Sequence, residues 1–317
     1  MKKKICVIGG GRWGQNHVKT LFQMNCLAAI VESNQTRLNE LLALYPGVQG
    51  FTDLDVAVAK GFDGYTLATP AGTHYDIGKK LLGKGLSVLI EKPMTLSAEE
   101  SKKLLDIAQK TEAKLMVGHV MLFNPAIRKI KEFIDSGKIG QLYYIYSTLL
   151  KLGTVRTEEN VFWSFAPHNI SVLDYLIGNS AIKIEAKGEK FLQKDIYDMT
   201  MAQLEYPNNI HAHIMVSWLN PFKEQKLVVI GSKGMISFDD STKEKEIRYS
   251  KKRIEFVDRK PINIDEPDEI IFYEKKMPLT EELTYFVEHL DKPIEIADGK
   301  SGYEVVKILE RVQNILK

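Results

Sequence analysis

Between the apolar run Ile5–Ile8 and a helical pattern from about Gln15 to Met24, the chain places Gly9, Gly10, Gly11, Arg12, Trp13 and Gly14. Gly9, Gly11 and Gly14 have the spacing G-x-G-x-x-G, and no other feature constrains the fold as strongly. The first glycine permits a tight turn, the second lets a pyrophosphate approach backbone amides at a helix N-terminus, and the third lets helix and strand pack closely. A glycine turn in some other α/β sheet would not need an acidic residue at the end of the next strand. Here Leu27–Val31 is that strand and Glu32 closes it, eighteen residues after Gly14. A carboxylate there accepts both ribose hydroxyls of a dinucleotide and repels a 2′-phosphate. NAD is therefore expected over NADP, although Ser33 and Arg37 are residues that could bind a 2′-phosphate if Glu32 turned away.

Strand and helix keep alternating for about 120 residues: helix 36–45 ended by Pro46 and Gly47, strand 64–68, helix 73–83, strand 87–90, helix 97–111 and strand 115–118. That order predicts a doubly wound parallel sheet, a Rossmann domain, over residues 1–122. Beyond Pro125 the pattern changes. A helix over 126–136 leads into period-two segments, with Tyr143, Ile145 and Ser147 opposing Tyr144, Tyr146 and Thr148, and similar alternation at Met199, Met201, Gln203 and 211–218. Asn208 and Asn209 separate two such strands and Gly231 to Gly234 two more, so a meander of about six strands is expected, interrupted by a helical block at 166–177. Residues 123–317 thus read as an α+β domain with a large open, mostly antiparallel sheet. Thr280 with Glu281 and Glu282 reads as a helix cap and first turn, and a last helix covers 301–316. These helices, from about residue 279, have the option of packing back on the first domain.

Composition narrows the partners. The 317 residues, 44% hydrophobic and 26% charged, suffice for two domains with real cores. Lys plus Arg number 43 against 41 acidic residues, a formal charge of +2, which argues against a nucleic-acid partner. Cys6 and Cys26 cannot build a disulfide framework or a zinc site, which fits a reducing, cytoplasmic setting. Lys2, Lys3 and Lys4 resemble a signal-peptide n-region, but the apolar run behind them is too short for export. No segment approaches the roughly 18 apolar residues of a membrane span. The open face of a large antiparallel sheet needs cover, so a homodimer or homotetramer paired through that face is expected.

Gly9 to Gly14, then Ala68-Thr69-Pro70 with Thr73 and His74, Glu91-Lys92-Pro93, and Val117-Gly118-His119 stand in the order and spacing of the Gfo/Idh/MocA family, the relatives of glucose-fructose oxidoreductase and inositol dehydrogenase. The chain resembles that family over nearly its whole length, since Phe123-Asn124-Pro125, Lys151 to Arg156, Trp163 to Ile170 and 278–316 look like counterparts of its later segments. Leu152-Gly153, Arg156, Asn160, Trp163 and Ala166-Pro167-His168 are most similar to the branch acting on nucleotide-linked sugars, such as UDP-N-acetylglucosamine 3-dehydrogenases. The resemblance implies a nicotinamide-dependent oxidoreductase acting on CH–OH, with a nucleotide sugar or other small carbohydrate as substrate. C3 is the implied carbon, and surface amino-sugar biosynthesis the setting.

Hydride transfer from a carbon bearing a hydroxyl requires groups that handle the hydroxyl proton beside the coenzyme. Lys92 and His168 are the candidates. Lys92 ends a strand at the carboxyl edge of the sheet, where a desolvated ammonium can have its pKa lowered, and Pro93 biases it toward an extended backbone. A surface lysine would look the same without the Glu-Lys-Pro context. His168, following Pro167 at a predicted helix start, titrates close enough to neutrality to act as general base. Expected coenzyme contacts are Gly9, Gly11, Arg12, Trp13, Gly14, Glu32, Thr69, Pro70, His74, Glu91 and Lys92. Expected substrate contacts are His119, Asn124, Arg156, Trp163, Ser164 and His168. No metal site is expected, and His211 and His213, spaced by two on one strand, are weak evidence for one. The family commonly has an aspartate four residues before the histidine, whereas this chain has Ser164. The hydroxyl can still bond the ring but brings no negative charge. A dehydrogenase of a free sugar or polyol, and a non-catalytic dinucleotide-binding sensor, are the alternatives.

Overall fold

The computed structural model describes residues 2–317, which group into two compact units: one holds residues up to Phe123 together with Met277–Lys307, the other Asn124–Lys276 with Ile308–Lys317. Among the described residues, no helix is long and apolar enough to cross a membrane.

The first unit is built on β1 (Ile5–Ile8), α1 (Gly14–Gln23), β2 (Leu27–Val31), α2 (Gln35–Leu44), β3 (Gln49–Phe51), α3 (Leu54–Val58), β4 (Gly64–Leu67), α4 (His74–Gly83), β5 (Val88–Glu91), α5 (Ala98–Thr111) and β6 (Leu115–Gly118). Its six strands lie in the order β3-β2-β1-β4-β5-β6, all pairings parallel. This is the doubly wound order of a Rossmann sheet. Strands β1, β4, β5 and β6 are buried at every position, as expected of strands covered on both faces. Between β1 and β4 the winding reverses. Hence the turns after β1, β4, β5 and β6 all lie at the carboxyl edge, where such sheets bind ligands. The short pair β3 and α3 has no counterpart in the sequence reading, because three and five residues carry too little periodicity.

In the second unit, α6 (Pro125–Asp135), β7 (Leu142–Leu150), α7 (Val161–Ile177), β8 (Lys183–Glu189), β9 (Met199–Tyr206), β10 (Ile210–Ser217), β11 (Lys226–Gly231), β12 (Met235–Asp239), β13 (Ile247–Ser250), β14 (Arg253–Val257), β15 (Lys260–Ile264) and β16 (Glu269–Ile271) follow in turn. The sheet order is β16-β13-β12-β11-β7-β10-β9-β8, with β14 and β15 as a separate hairpin. The expected meander is corrected here, because β7 lies between β11 and β10 and runs parallel to β10. The turn at Asn208 and Asn209 does form, as part of the three-residue connection Pro207–Asn209, with φ of 64° and 57°, values the Asn side chain tolerates better than most. Ile145, Ala212, Ile214, Ala202 and Leu204 are buried on the face that packs against α7. Tyr144, Tyr146, Met201 and His213 point to the other face, where Tyr146, Met201 and His213 help line a groove of about 340 Å³.

Two helices close the chain, α8 (Pro278–Glu288) and α9 (Gly299–Leu316). The cap expected at Thr280 is corrected: Met277 is the N-cap and Pro278 occupies the first helical turn, where its missing N–H costs nothing. The helix starts three residues earlier than expected, and Glu282 lies buried along it with Leu283 and Phe286. At the start of α9, Gly299 and Gly302 come so close to Leu115 and Val117 of β6 that an added Cβ would stand 2.7 and 2.4 Å from them.

Candidate active site

The coenzyme cradle begins where β1 runs into its glycines. Gly9 has φ +99°, and a Cβ there would lie 2.8 Å from the Ala68 carbonyl. At Gly14 a Cβ would lie 1.9 Å from the carbonyl oxygen of Gly9, so any side chain would break the turn. Gly11 differs: nothing stands within 4 Å of its Cβ direction, so this glycine keeps space clear rather than admitting protein. That is the room a pyrophosphate needs over the amides entering α1. Glu32, buried at the end of β2, accepts from the Gly10 amide at 2.9 Å and from the Asn34 amide at 2.9 Å, with the Arg37 guanidinium at 3.6 Å. Burial opposes its ionisation, but the two amides and Arg37 outweigh burial and hold the carboxyl below its usual range. An ionised carboxylate has about four acceptor positions, so those facing away from the two amides can take ribose hydroxyls. The cradle fits a nicotinamide dinucleotide.

After β4, Thr69 and Pro70 lead into α4, whose first residue is His74. His74 was expected to contact the coenzyme. It is 1% exposed, and its two ring nitrogens lie 2.9 Å from the Thr69 carbonyl and 3.0 Å from the Pro93 carbonyl. Burial lowers its pKa despite those carbonyls, so the neutral ring donates to one of them at a time and ties the turn after β4 to the turn after β5.

Glu91 ends β5 with its carboxylate pointing inward. One oxygen meets His17 Nε2 at 2.8 Å, the other accepts from the Lys92 amide at 3.2 Å, and the Trp13 side chain hydrogen-bonds the same group. Burial works against ionisation, but His17, Trp13 and the charge of Lys92 prevail, so Glu91 stays a carboxylate. Trp13 in the glycine turn, His17 on α1 and the Glu-Lys-Pro step are thereby one linked structure. Lys92, joined to Pro93 by a cis peptide, is partly exposed. A Cβ at Gly118 would stand 2.7 to 2.9 Å from all three atoms of the Glu91 carboxyl group. Gly118→Ala is therefore expected to cost about 1–3 kcal/mol through overpacking, read as a lower midpoint in denaturant unfolding with an unchanged slope. A midpoint equal to that of the natural chain would mean the carboxylate has room to retreat.

His119, expected among the substrate contacts, is 1% exposed; burial, aided by Lys92 and opposed by Glu91, lowers its pKa to about 4. It is a neutral buried ring. His17 was not expected at the site, and Glu282 was expected in a first turn capped by Thr280. The signal for each was present, because His17 falls on the stripe Gly14, Val18, Leu21 and Glu282 on the stripe of Leu283 and Phe286, both apolar helix faces carrying one polar residue.

In the second unit, α7 carries the remaining candidates. It starts earlier than the expected Ala166, because the Asn160 side chain caps it by accepting from Phe162 at 3.0 Å and Trp163 at 3.1 Å. Pro167 thus lies inside the helix, and His168 stands in its third turn rather than at its start. Ser164 and His168, four residues apart, share one face; Ser164 is buried and His168 partly exposed. The neighbouring Asn169 is committed to the sheet, its amide donating to Ser147 of β7 at 2.7 Å. Trp163 is 9% exposed. Asn124, expected to meet substrate, spends its side-chain oxygen capping α6 through the Ala126 amide at 2.9 Å. Arg156 is exposed on the segment before α7, its nearest carboxylate being Glu159 at 3.8 Å.

Residues 3–119 match the family model described as oxidoreductase family, NAD-binding Rossmann fold, GFO_IDH_MocA, and residues 127–237 match GFO/IDH/MocA C-terminal domain. Among curated relatives, the chain is 26% identical over 212 residues to UDP-N-acetylglucosamine 3-dehydrogenase of Acidithiobacillus ferrooxidans, covering 67% of this chain and 66% of that one. It is 24% identical over 254 residues to inositol 2-dehydrogenase of Rhizobium meliloti, covering 76% of each. The first curated relatives are matched over 45% to 76% of their lengths. Among solved structures, UDP-N-acetylglucosamine 3-dehydrogenase GnnA of Acidithiobacillus ferrooxidans superposes with a TM-score of 0.87 at 22% identity, covering 100% of this chain and 98% of that one, a likeness of fold.

Proposed function

Because the chain belongs to the Gfo/Idh/MocA family of NAD-binding oxidoreductases, we propose that it moves a hydride between nicotinamide and a ring carbon, C3, of a nucleotide-linked sugar such as UDP-N-acetylglucosamine. The observation that carries the substrate class is the similarity to UDP-N-acetylglucosamine 3-dehydrogenase across two thirds of this chain. The exposed Arg156 supports it, since a guanidinium fork matches diphosphate oxygens. Bound on the glycine turn, NAD supplies the carbon that accepts the hydride. Lys92 then hydrogen-bonds the reacting oxygen, and His168 takes the hydroxyl proton and returns it in the reverse direction. With Ser164 one turn away instead of a carboxylate, the imidazole gains no nearby negative charge from that position.

Inositol 2-dehydrogenase, matched over a larger share of the chain, supports a second reading in which a free polyol is the substrate. Initial rates of nicotinamide reduction with a panel of UDP- and dTDP-sugars, free sugars and inositols separate the two. Nucleotide sugars are expected to exceed the free forms in kcat/KM at least about tenfold, since a diphosphate contact of about 1.4 kcal/mol already gives that ratio. Equal rates with the free forms would overturn the nucleotide-sugar reading, and coenzyme binding without any turnover would favour a sensor. We further propose a homodimer or homotetramer paired through the open sheet face, supported by the exposed Tyr144, Tyr146 and Met201. The cytosol is the proposed setting, in which the two free cysteines stay reduced.

A further inference from the structure

In the second unit, residues 151–160 connect β7 to α7 without helix or strand, and Arg156 stands in their middle with its side chain 55% exposed. A second irregular stretch, 190–198, joins β8 to β9. A long side chain on an irregular segment has to be ordered before it can grip an anion, and that ordering weakens binding unless the segment is already held. Here it is held in three places. At its start the Lys151 and Gly153 amides donate to the Ser217 and Trp218 carbonyls, each at 3.1 Å. In its middle the Gln193 side chain donates from Nε2 to the Arg156 carbonyl at 2.8 Å. At its end the Val161 amide donates to the Tyr197 carbonyl at 3.0 Å.

All three holds lead back to one buried side chain. Asp198 is 0% exposed, and its carboxylate accepts from the Phe191 amide at 2.7 Å, the Leu192 amide at 2.8 Å and the Trp218 indole N–H at 2.6 Å. Its backbone carbonyl accepts from the Ser217 hydroxyl and the Trp218 amide, both at 3.3 Å. The first hold is therefore fastened to the strand end that Asp198 grips, the second follows directly on the two amides it pins, and the third comes from the residue before it. Bonds to a carboxylate are roughly twice as strong as neutral ones, which suits a loop that no strand ladder supports. We propose that Asp198, working through Gln193, is a positioning residue for Arg156. It presents the guanidinium on an already ordered backbone to the diphosphate of the substrate, and so governs affinity for the nucleotide portion rather than the hydride step.

The inference rests on the proposed contact of Arg156 with the diphosphate, so one arm of its test needs no substrate. The backbone order parameter of Arg156, from ¹⁵N relaxation, is expected near the rigid value of about 0.85 in the natural chain. In Gln193→Met, which keeps the length of the side chain but has no donor, it is expected to fall toward 0.6 or below. Asp198→Asn, which sets an NH₂ against N–H donors, should loosen Arg156 in the same way. Where that variant does not fold, Gln193→Met, at a partly exposed position, carries the test. In the kinetic arm, with a UDP- or dTDP-sugar that is turned over, Gln193→Met is expected to raise KM about three- to tenfold with kcat within about twofold. Added to Arg156→Ala it should raise KM no further, because both changes remove one contact. An Arg156 backbone that is flexible in the natural chain, or equally rigid in Gln193→Met, overturns the inference. So does a rise in KM that persists undiminished in the Arg156→Ala background. If Arg156→Ala leaves KM for nucleotide sugars unchanged, the diphosphate contact of the proposed function fails instead, and the order parameter still decides whether Gln193 and Asp198 hold Arg156.

Discussion

Lys92→Ala is expected to lower kcat by about 10²–10⁴-fold, the range that loss of a positioned proton donor gives, while the affinity for NAD changes little. The geometry separates these two quantities. The amide of Lys92 and the carboxylate of Glu91 tie the backbone at this point to His17 and Trp13, and none of those contacts uses the lysine side chain beyond its charge. Truncation at Cβ leaves the cradle standing. His168→Ala is expected to lose turnover to a similar degree, with its host helix intact because the Asn160 cap and the bond from Asn169 to Ser147 do not involve the imidazole. The double variant should be little worse than the more severe single one, since two groups serving one proton transfer are not additive. Stopped-flow and steady-state rates with coenzyme binding measured separately will check this. Additive losses, or a Lys92→Ala enzyme within tenfold of the natural chain, would show that the two side chains do not serve the same step.

The glycine spacing and the placing of Glu32 made the Rossmann sheet and its coenzyme legible, because both are local: Gly9 and Gly14 answer to neighbours within a few residues or beside the adjacent strand, and Gly11 keeps the space above the turn open. The second sheet was legible only as alternation. Period two tells which residues share a face but not which strands pair, and nothing in Tyr143 to Leu150 announces that β7 will lie parallel to β10. The start of α7 was misplaced because Pro167 is the louder signal, while the cap that decides the matter is Asn160. The depth of the site was the least legible part. His17 and Gly118 come from distant stretches of chain to meet Glu91, and what marks them is a single polar or missing side chain among apolar neighbours. Sequence position shows the pattern; only packing shows that the two stretches meet at one carboxylate.

Replacing Glu32 by Gln should shift the coenzyme preference, measured as the ratio of kcat/KM with NAD to that with NADP, by about 10²-fold toward NADP. Two changes act together. The charged acceptor for the ribose hydroxyls is lost, which removes hydrogen bonds worth roughly 1.5–3 kcal/mol with NAD, and the repulsion against a 2′-phosphate disappears. Arg37 supplies the other half. Its guanidinium now faces Glu32 at 3.6 Å and is half exposed, so without the carboxylate it is released to a phosphate placed at the same end of β2. Gln is preferable to Ala because Glu32 also accepts from the amides of Gly10 and Asn34, and an amide oxygen keeps one of those bonds. Glu32→Ala leaves two sheltered N–H groups without their acceptor and should cost an additional 1–3 kcal/mol or so of stability. Adding Arg37→Ala to Glu32→Gln separates the two contributions: the loss with NAD should remain and the gain with NADP should vanish. A Glu32→Gln enzyme whose preference for NAD is unchanged would mean that the carboxylate serves the glycine turn alone and that the ribose is recognised elsewhere.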